Sequence, residues 1–449
     1  MATLTVAAEC QLEGIPLELE KKIKERLTID NPRYIAAKRY GRWVGKKLKP
    51  KLEYYDQLPG KLSFPRGYAN QAVLLCRELL GEAPQIIDNR KLLPHADFVF
   101  SGTLRQYQQD AVNRVLERSF GVLEAGTGSG KTVMALATIA RRRQPTLVVV
   151  HTKELLYQWQ HRVEQFLNCS PGLVGDSQFS VEPLTIGIVN SVRKRRAELA
   201  PHFGHLIVDE CHRVPATLFT DVVSAFDSYY MLGLSATAFR SDDGMTKLIY
   251  FYMGDRLHQV DKQELEQTGA IVRPLLVRKK TSFTYRYRGD YQQLITALTE
   301  HEGRNRQIVD DVYGVVRGKK SGTVLVVSDR IRHCEQLERL LLKGGIKVSL
   351  LTGKTAPDKR YAIVEAVKAG EVEVLISTLQ LIGEGFDCPD LTVLVLTTPI
   401  TFEGRLLQVM GRIMRPGVNK KPMVYDYVDE AVSVLRRSAK SREKVFSNL

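Results

Sequence analysis

Apolar positions along this chain gather into short, near-continuous runs separated by longer stretches with a helical period. Between about Gly102 and Val272, the runs at 121–124, 146–151, 185–189, 205–208 and 231–234 read as strands, and 131–142 and 153–167 as helices. The alternation resumes near Gln293. There the pattern predicts strands at 323–328, 347–351, 374–377, 392–397 and 423–427, with helices at 332–343, 358–368 and 403–413. Val-, Ile- and Leu-rich strands alternating with helices predict parallel sheets covered on both faces, so the fold class is α/β with two lobes in tandem. Residues 1–96 lack this alternation and crowd bases among aromatics. The pattern therefore predicts a small basic N-terminal accessory domain (1–96), a first lobe (97–272), a basic, tyrosine-rich linker (273–292) and a second lobe (293–449).

Composition adds a partner class. Of 449 residues, 44% are hydrophobic and 26% charged, an ordinary globular balance that excludes a largely disordered chain. Lys and Arg number 65 against 50 acids, a net charge of +15 that suits a polyanion. No apolar run reaches the roughly 18–20 residues of a membrane helix. Met1–Glu20 carries no basic segment ahead of an apolar stretch, so a signal peptide is not expected. The six cysteines stand singly, without metal-ligand or redox spacing. The expected setting is cytoplasmic and nucleoid-associated, in a prokaryote or phage.

Candidate chemistry begins at Glu124-Ala-Gly-Thr-Gly-Ser-Gly-Lys-Thr132, which follows an expected strand and opens an expected helix. Gly126, Gly128 and Gly130, with Thr127 and Ser129 between them, let backbone N–H groups curl around a phosphate at a helix N-terminus. Lys131 can reach the β- and γ-phosphates, and the Thr132 hydroxyl can ligate Mg²⁺. Ala125 stands where the strict pattern has its first glycine. About 80 residues on, the apolar strand Leu206-Ile-Val empties into Asp209-Glu-Cys-His212. Ligands of α/β folds collect at that end of the strands. Asp209 suits the Mg²⁺ shell, and Glu210 suits polarisation of the attacking water.

Asp-Glu-Cys-His resembles the DEAD/DEAH-type box of superfamily-two helicases, and further segments resemble that family in order. The resemblance implies two RecA-like lobes, ATP and Mg²⁺ as cofactors, and roles for particular residues. Leu104-Arg-Gln-Tyr-Gln108 is similar to the adenine-reading segment, with Gln108 on the base and Arg105 beside it. Thr152 and Lys153, with Asn190 and Ser191, are similar to first-lobe segments that hold the nucleic-acid backbone. Ser235-Ala-Thr237 is similar to the coupling motif, and His212 would relay between it and the nucleotide. In the second lobe Thr378 lies in a backbone-binding motif, and Gly385 and Asp387 lie in its nucleotide-touching part. Gln408-Val-Met-Gly-Arg-Ile-Met-Arg415 is similar to the arginine-finger helix. Spaced three apart, Arg412 and Arg415 are expected to share one helix face and to stabilise charge on the γ-phosphoryl group.

Ser235-Ala-Thr-Ala-Phe-Arg-Ser-Asp-Asp-Gly244 and Val260-Asp-Lys-Gln-Glu-Leu265 resemble the branch containing XPB, UvsW and RadD, although Ala238 stands where proline commonly follows Ser-Ala-Thr. That branch implies single-stranded, forked or duplex DNA as the partner. In the N-terminal block, Arg39, Arg42, Lys46, Lys47, Lys49 and Lys51 interleave with Tyr34, Tyr40 and Trp43, as a surface that holds phosphates and stacks on bases would. On this reading the block should detach and leave a folded two-lobe ATPase. Lys61-Leu-Ser-Phe-Pro-Arg-Gly67 resembles a segment of bacterial members, without a mechanism attached. The expected activity is an ATP-dependent DNA helicase or translocase in repair, recombination or replication. The alternative is a motor subunit of a defence, restriction or mobile-element complex that translocates without separating strands. A nuclease or another repair or defence protein is the fitting protein partner.

Overall fold

The computed structural model describes residues 1–39, 43, 45, 48–212, 216–236, 244–318, 322–383, 390–400, 403–417 and 420–447. The chain forms two compact units, Met1–Gly126 with Gly130–Val260, and Asp261–Leu449, with which Thr127–Ser129 are grouped.

The first unit opens with β1 (Thr3–Val6), β2 (Glu9–Glu13), β3 (Thr28–Asp30), β4 (Lys51–Glu53), β5 (Asp56–Leu58), β6 (Lys61–Pro65) and β7 (Gln85–Asp88). Five of these make a sheet in the order β5-β6-β2-β1-β7, and β3 pairs separately with β4. The helices Leu17–Arg26 and Ala69–Leu80 bury Leu19, Ile23, Ala72 and Leu75 in this block's core. An irregular block was expected. Strands of three to five residues, alternating buried and exposed positions, carry too few apolar residues to stand out.

The block also shares its core with the lobe that follows. Phe251 belongs to the same buried cluster as Leu4, Leu12 and Phe64. The Tyr54 ring lies 5.7 Å from that of Phe251 and 6.2 Å from that of Tyr252. Arg66 is 2% exposed and donates from Nη1 to the carbonyls of Ser228 (2.7 Å) and Ala7 (3.3 Å). A Cβ at Gly67 would lie 2.4 Å from the Gly254 nitrogen, so only glycine allows this approach. The Pro-Arg-Gly segment is thus the seam between the block and the lobe, and the expectation of a detachable block is corrected.

The lobe itself contains β8 (Phe120–Glu124), β9 (Thr146–Val150), β10 (Gly172–Gly175), β11 (Gln178–Phe179), β12 (Leu184–Ile188), β13 (His205–Val208), β14 (Tyr230–Ser235) and β15 (Arg256–Gln259). Their order is β11-β10-β12-β9-β13-β14-β8-β15, parallel except for the β10–β11 hairpin. The helices Lys131–Arg142 and Lys153–Leu167 have the bounds the pattern predicts. β9, β13, β14 and β8 end side by side, and their C-terminal ends carry the candidate chemistry.

The second unit holds β16 (Leu275–Lys280), β17 (Thr323–Ser328), β18 (Val348–Leu351), β19 (Val374–Thr378), β20 (Leu391–Leu396) and β21 (Met423–Val428). Their order is β16-β21-β20-β17-β19-β18, all parallel. The expected linker is corrected here. β16 lies within it and pairs with β21 from Leu275↔Met423 to Lys280↔Val428. Its bases Arg278, Lys279 and Lys280 pair with Asp426, Asp311 and Glu430 at 3.4, 3.1 and 3.0 Å. The break between units also falls at Val260, ahead of the expected 272.

Candidate nucleotide and nucleic-acid site

β8 ends at Glu124, and the chain turns through Gly128 (φ 90°) and Gly130 (φ 83°) into the helix Lys131–Arg142. Those left-handed conformations explain why glycine stands there. A Cβ at Gly130 would come within 2.4 Å of Gln108 Nε2, so the Gln108 amide packs against the turn. Gln108 Oε1 accepts the Arg105 backbone N–H at 3.0 Å, which caps the helix Gln106–Leu116. Lys131 Nζ donates to the Ala125 carbonyl at 3.0 Å and lies 3.6 Å from Glu210 Oε1. The lysine charge is thus held above the glycine turn by one carbonyl and one carboxylate.

β13 delivers Asp209 and Glu210 just past its C-terminal end. Glu210 has φ 45°, unusual for a residue with a Cβ, and this turns the chain as it leaves the sheet. Asp209 is 5% exposed. Its Oδ1 accepts the Glu210 N–H at 2.9 Å and its Oδ2 accepts the Trp159 indole N–H at 2.7 Å. Burial, and then the neighbouring Glu210 charge, raises the Asp209 carboxyl above the ordinary carboxylate range. Beyond it, His212 Nδ1 lies 3.4 Å from Glu210 Oε2 and 2.8 Å from Ser235 Oγ. A polar chain therefore runs from Lys131 through Glu210 and His212 to Ser235.

Thr132 and Asp209 supply hard oxygen ligands, and Mg²⁺ is commonly held by one or two carboxylates together with phosphates. No group of three or more His, Cys, Asp or Glu gathers among the described residues, so an all-protein metal cage is not built there. A buried carboxylate crowded by a second one is a place where a divalent cation relieves repulsion. The donor set fits the ion.

Of the first-lobe residues expected on nucleic acid, Thr152 caps the helix Lys153–Leu167, its Oγ1 accepting the Leu155 N–H at 3.3 Å. Lys153 is paired with Asp176 at 2.6 Å, at the tip of the β10–β11 hairpin. Asn190, exposed, and Ser191 lie in the helix Val189–Lys194. In the N-terminal block, the β3–β4 pairing Asp30↔Lys51 closes the base of the basic excursion. Arg39 ends the helix Pro32–Arg39, Lys38 Nζ sits 5.2 Å from the Tyr34 ring centre, and Trp43 is 90% exposed. Arg42, Lys46, Lys47, Thr237, Gly385 and Asp387 lie outside the described residues.

In the second unit, Thr378 closes β19 and Gln408 is buried in the helix Glu403–Ile413. Arg412 is buried on that helix and donates from Nε to the Ile382 carbonyl at 3.2 Å. The helix ends at Ile413, so Arg415 sits in the following bend. This corrects the expectation that both arginines share one helix face.

Residues 101–240 match the family of the type III restriction enzyme res subunit, and 305–417 match the helicase conserved C-terminal domain. Over 372 residues the chain is 30% identical to L396 of Acanthamoeba polyphaga mimivirus, named for an ATP-dependent RNA helicase activity. That alignment covers 79% of this chain and 69% of L396. The chain belongs to the superfamily-two helicases.

A second helicase relative is the DNA 3'-5' translocase XPB2 of Sulfurisphaera tokodaii, 25% identical over 433 residues, 88% of this chain and 96% of XPB2. S. cerevisiae Dbp5 bound to RNA and ADP BeF3 shares the fold, with a TM-score of 0.57 at 16% identity over 77% of this chain and 88% of Dbp5. As a helicase, the protein is an ATP-driven enzyme that binds and moves on nucleic acid. No helix among the described residues is long and apolar enough to cross a membrane. The sequence pattern did not single out Trp159, whose indole N–H the structure brings to Asp209. The available signal was a tryptophan on the apolar stripe Leu156, Trp159, Val163, Leu167 of a helix beginning at an expected motif.

Proposed function

We propose that this helicase is an ATP-dependent DNA translocase acting on branched, forked or duplex DNA in repair, recombination or replication. The observation that carries the reading is the polar chain from Lys131 through Glu210 and His212 to Ser235. It links a phosphate-binding lysine and a water-polarising carboxylate to the coupling motif inside one lobe. Lys131 holds the β- and γ-phosphates, Thr132 and Asp209 face Mg²⁺, and Glu210 orients the attacking water. Mg²⁺ neutralises phosphate charge when bound. Gln108 and Arg105 receive the base, with Gly385 and Asp387 on the nucleotide from the second lobe. Arg412 and Arg415 stabilise charge on the γ-phosphoryl group. Thr152, Lys153, Asn190, Ser191 and Thr378 hold the backbone of the nucleic acid.

DNA is favoured because the alignment with a DNA translocase spans 88% of this chain, and because the sequence on either side of the exposed Trp43 is rich in Lys and Arg. RNA is the second reading, favoured by the name of L396. The test is ATP-dependent displacement of a triplex-forming strand from duplex DNA. Displacement that needs hydrolysis supports translocation on DNA. ATP turnover stimulated only by RNA, with no displacement, contradicts it.

A further inference from the structure

Trp159 is one of two tryptophans, and unlike Trp43 it is buried, at 1% exposure. A buried indole N–H must find an acceptor. Here the acceptor is Asp209 Oδ2 at 2.7 Å, while Oδ1 takes the Glu210 N–H at 2.9 Å. Each carboxylate oxygen thus carries one fixed neutral donor and keeps a lone pair for something else. A Lys or Arg in the place of Trp159 would orient the carboxylate too, but its charge would compete with a cation. The indole orients without competing.

We propose that Trp159 is a positioning residue whose N–H fixes the Asp209 carboxylate so that its remaining lone pairs face the Mg²⁺ that accompanies ATP. This rests on the reading of Asp209 under the proposed function. The helix carrying Trp159 begins beside Thr152 and Lys153, so one rigid element joins a backbone-binding segment to the metal-facing carboxylate.

The test uses the whole 449-residue chain. Trp159→Phe removes the donor and keeps most of the apolar volume. Loss of a hydrogen bond to a charged group should raise the half-saturating Mg²⁺ concentration for hydrolysis about tenfold. KM for ATP at saturating Mg²⁺ should stay within about twofold, because phosphate binding uses other groups. A folded variant with an unchanged Mg²⁺ requirement overturns the proposal. A second measurement does not depend on that variant folding. In the unsubstituted protein with the exposed Trp43 quenched by iodide, the buried Trp159 dominates the indole emission, and MgCl₂ titrated into the ADP-bound, DNA-free form should produce a saturable emission change. A flat trace from protein that still hydrolyses ATP overturns this inference alone. Protein that hydrolyses no ATP with Mg²⁺ overturns the ATPase reading and this inference together.

Discussion

Lys131, Asp209 and Glu210 were legible as residues because their chemistry is tied to short spacing and to a strand before each of them. Two features beside them were not. The φ of 45° at Glu210 is set by the path the chain takes out of the sheet, and the Trp159–Asp209 bond joins residues 50 apart. The geometry separates the roles of neighbouring groups. Glu210→Gln should leave nucleotide affinity within a fewfold and lower turnover by about 10²–10⁴. Lys131→Ala should weaken both binding and turnover, since on the proposed reading its charge would face phosphate throughout the cycle. Equilibrium binding of labelled ATP beside steady-state turnover distinguishes the two. A second residue-scale prediction concerns pH. His333 is buried between Ser328 Oγ (2.9 Å) and Asn305 Oδ1 (3.0 Å), and burial, then Arg304, pushes its pKa down to about 3. His205 is likewise lowered by burial, with Arg142 beside it. Both imidazoles stay neutral in the fold and take up protons on unfolding. Their contribution is therefore complete above about pH 6.5 and falls as pH drops below it, for His333 down to about 3. Between about pH 7.5 and 5 His333 should cost about 2 kcal/mol, with His205 acting in the same direction, read as a lower urea midpoint. An unmoved midpoint contradicts the assignment.

Elements built from long apolar runs were read correctly to within a residue or so, as with β17 (Thr323–Ser328) and the helix Glu403–Ile413. Short strands and the basic edge strand β16 escaped, because their register depends on partners distant in sequence. The seam element Lys61–Pro65 and the arginine after it carry a stability prediction. Burial, then the charge of Arg90, holds the Arg66 pKa down at about 10, yet the guanidinium still anchors two carbonyls. Arg66→Ala should lower unfolding stability by about 3 kcal/mol, through unmade hydrogen bonds and a cavity. Arg66→Met, which refills the volume, should cost less; equal losses in denaturant melts would mean that the lost volume contributes nothing and the hydrogen bonds carry the whole effect. The excursion clamped by β3 and β4 carries a different prediction. Neutralising Lys46, Lys47, Lys49 and Lys51 should flatten the log–log salt dependence of DNA binding by roughly 0.7–0.9 per lost phosphate contact. Circular dichroism should stay unchanged. Equal slopes in variant and parent would remove this segment from the DNA interface.

At the scale of the molecule, the two-lobe α/β organisation was visible in alternation alone, whereas the fusion of the N-terminal block to the first lobe was not. That fusion depends on Tyr54, Arg66 and Gly67 meeting Phe251, Tyr252, Ser228 and Gly254, contacts that no local pattern encodes. Removing residues 1–96 should therefore expose Phe251 and Tyr252 and give protein that aggregates on size-exclusion chromatography. A monodisperse, active truncation would contradict the shared core. On the proposed function, hydrolysis at the Lys131–Glu210 site drives movement on DNA. Steady-state ATP turnover of the 449-residue chain with single-stranded DNA, duplex DNA, forked DNA and RNA at one salt concentration, with Glu210→Gln alongside, decides this. One or more of the DNA forms should stimulate turnover at least about tenfold, RNA little, and the variant should show no stimulation. Stimulation confined to RNA, or turnover that persists in Glu210→Gln, would contradict it.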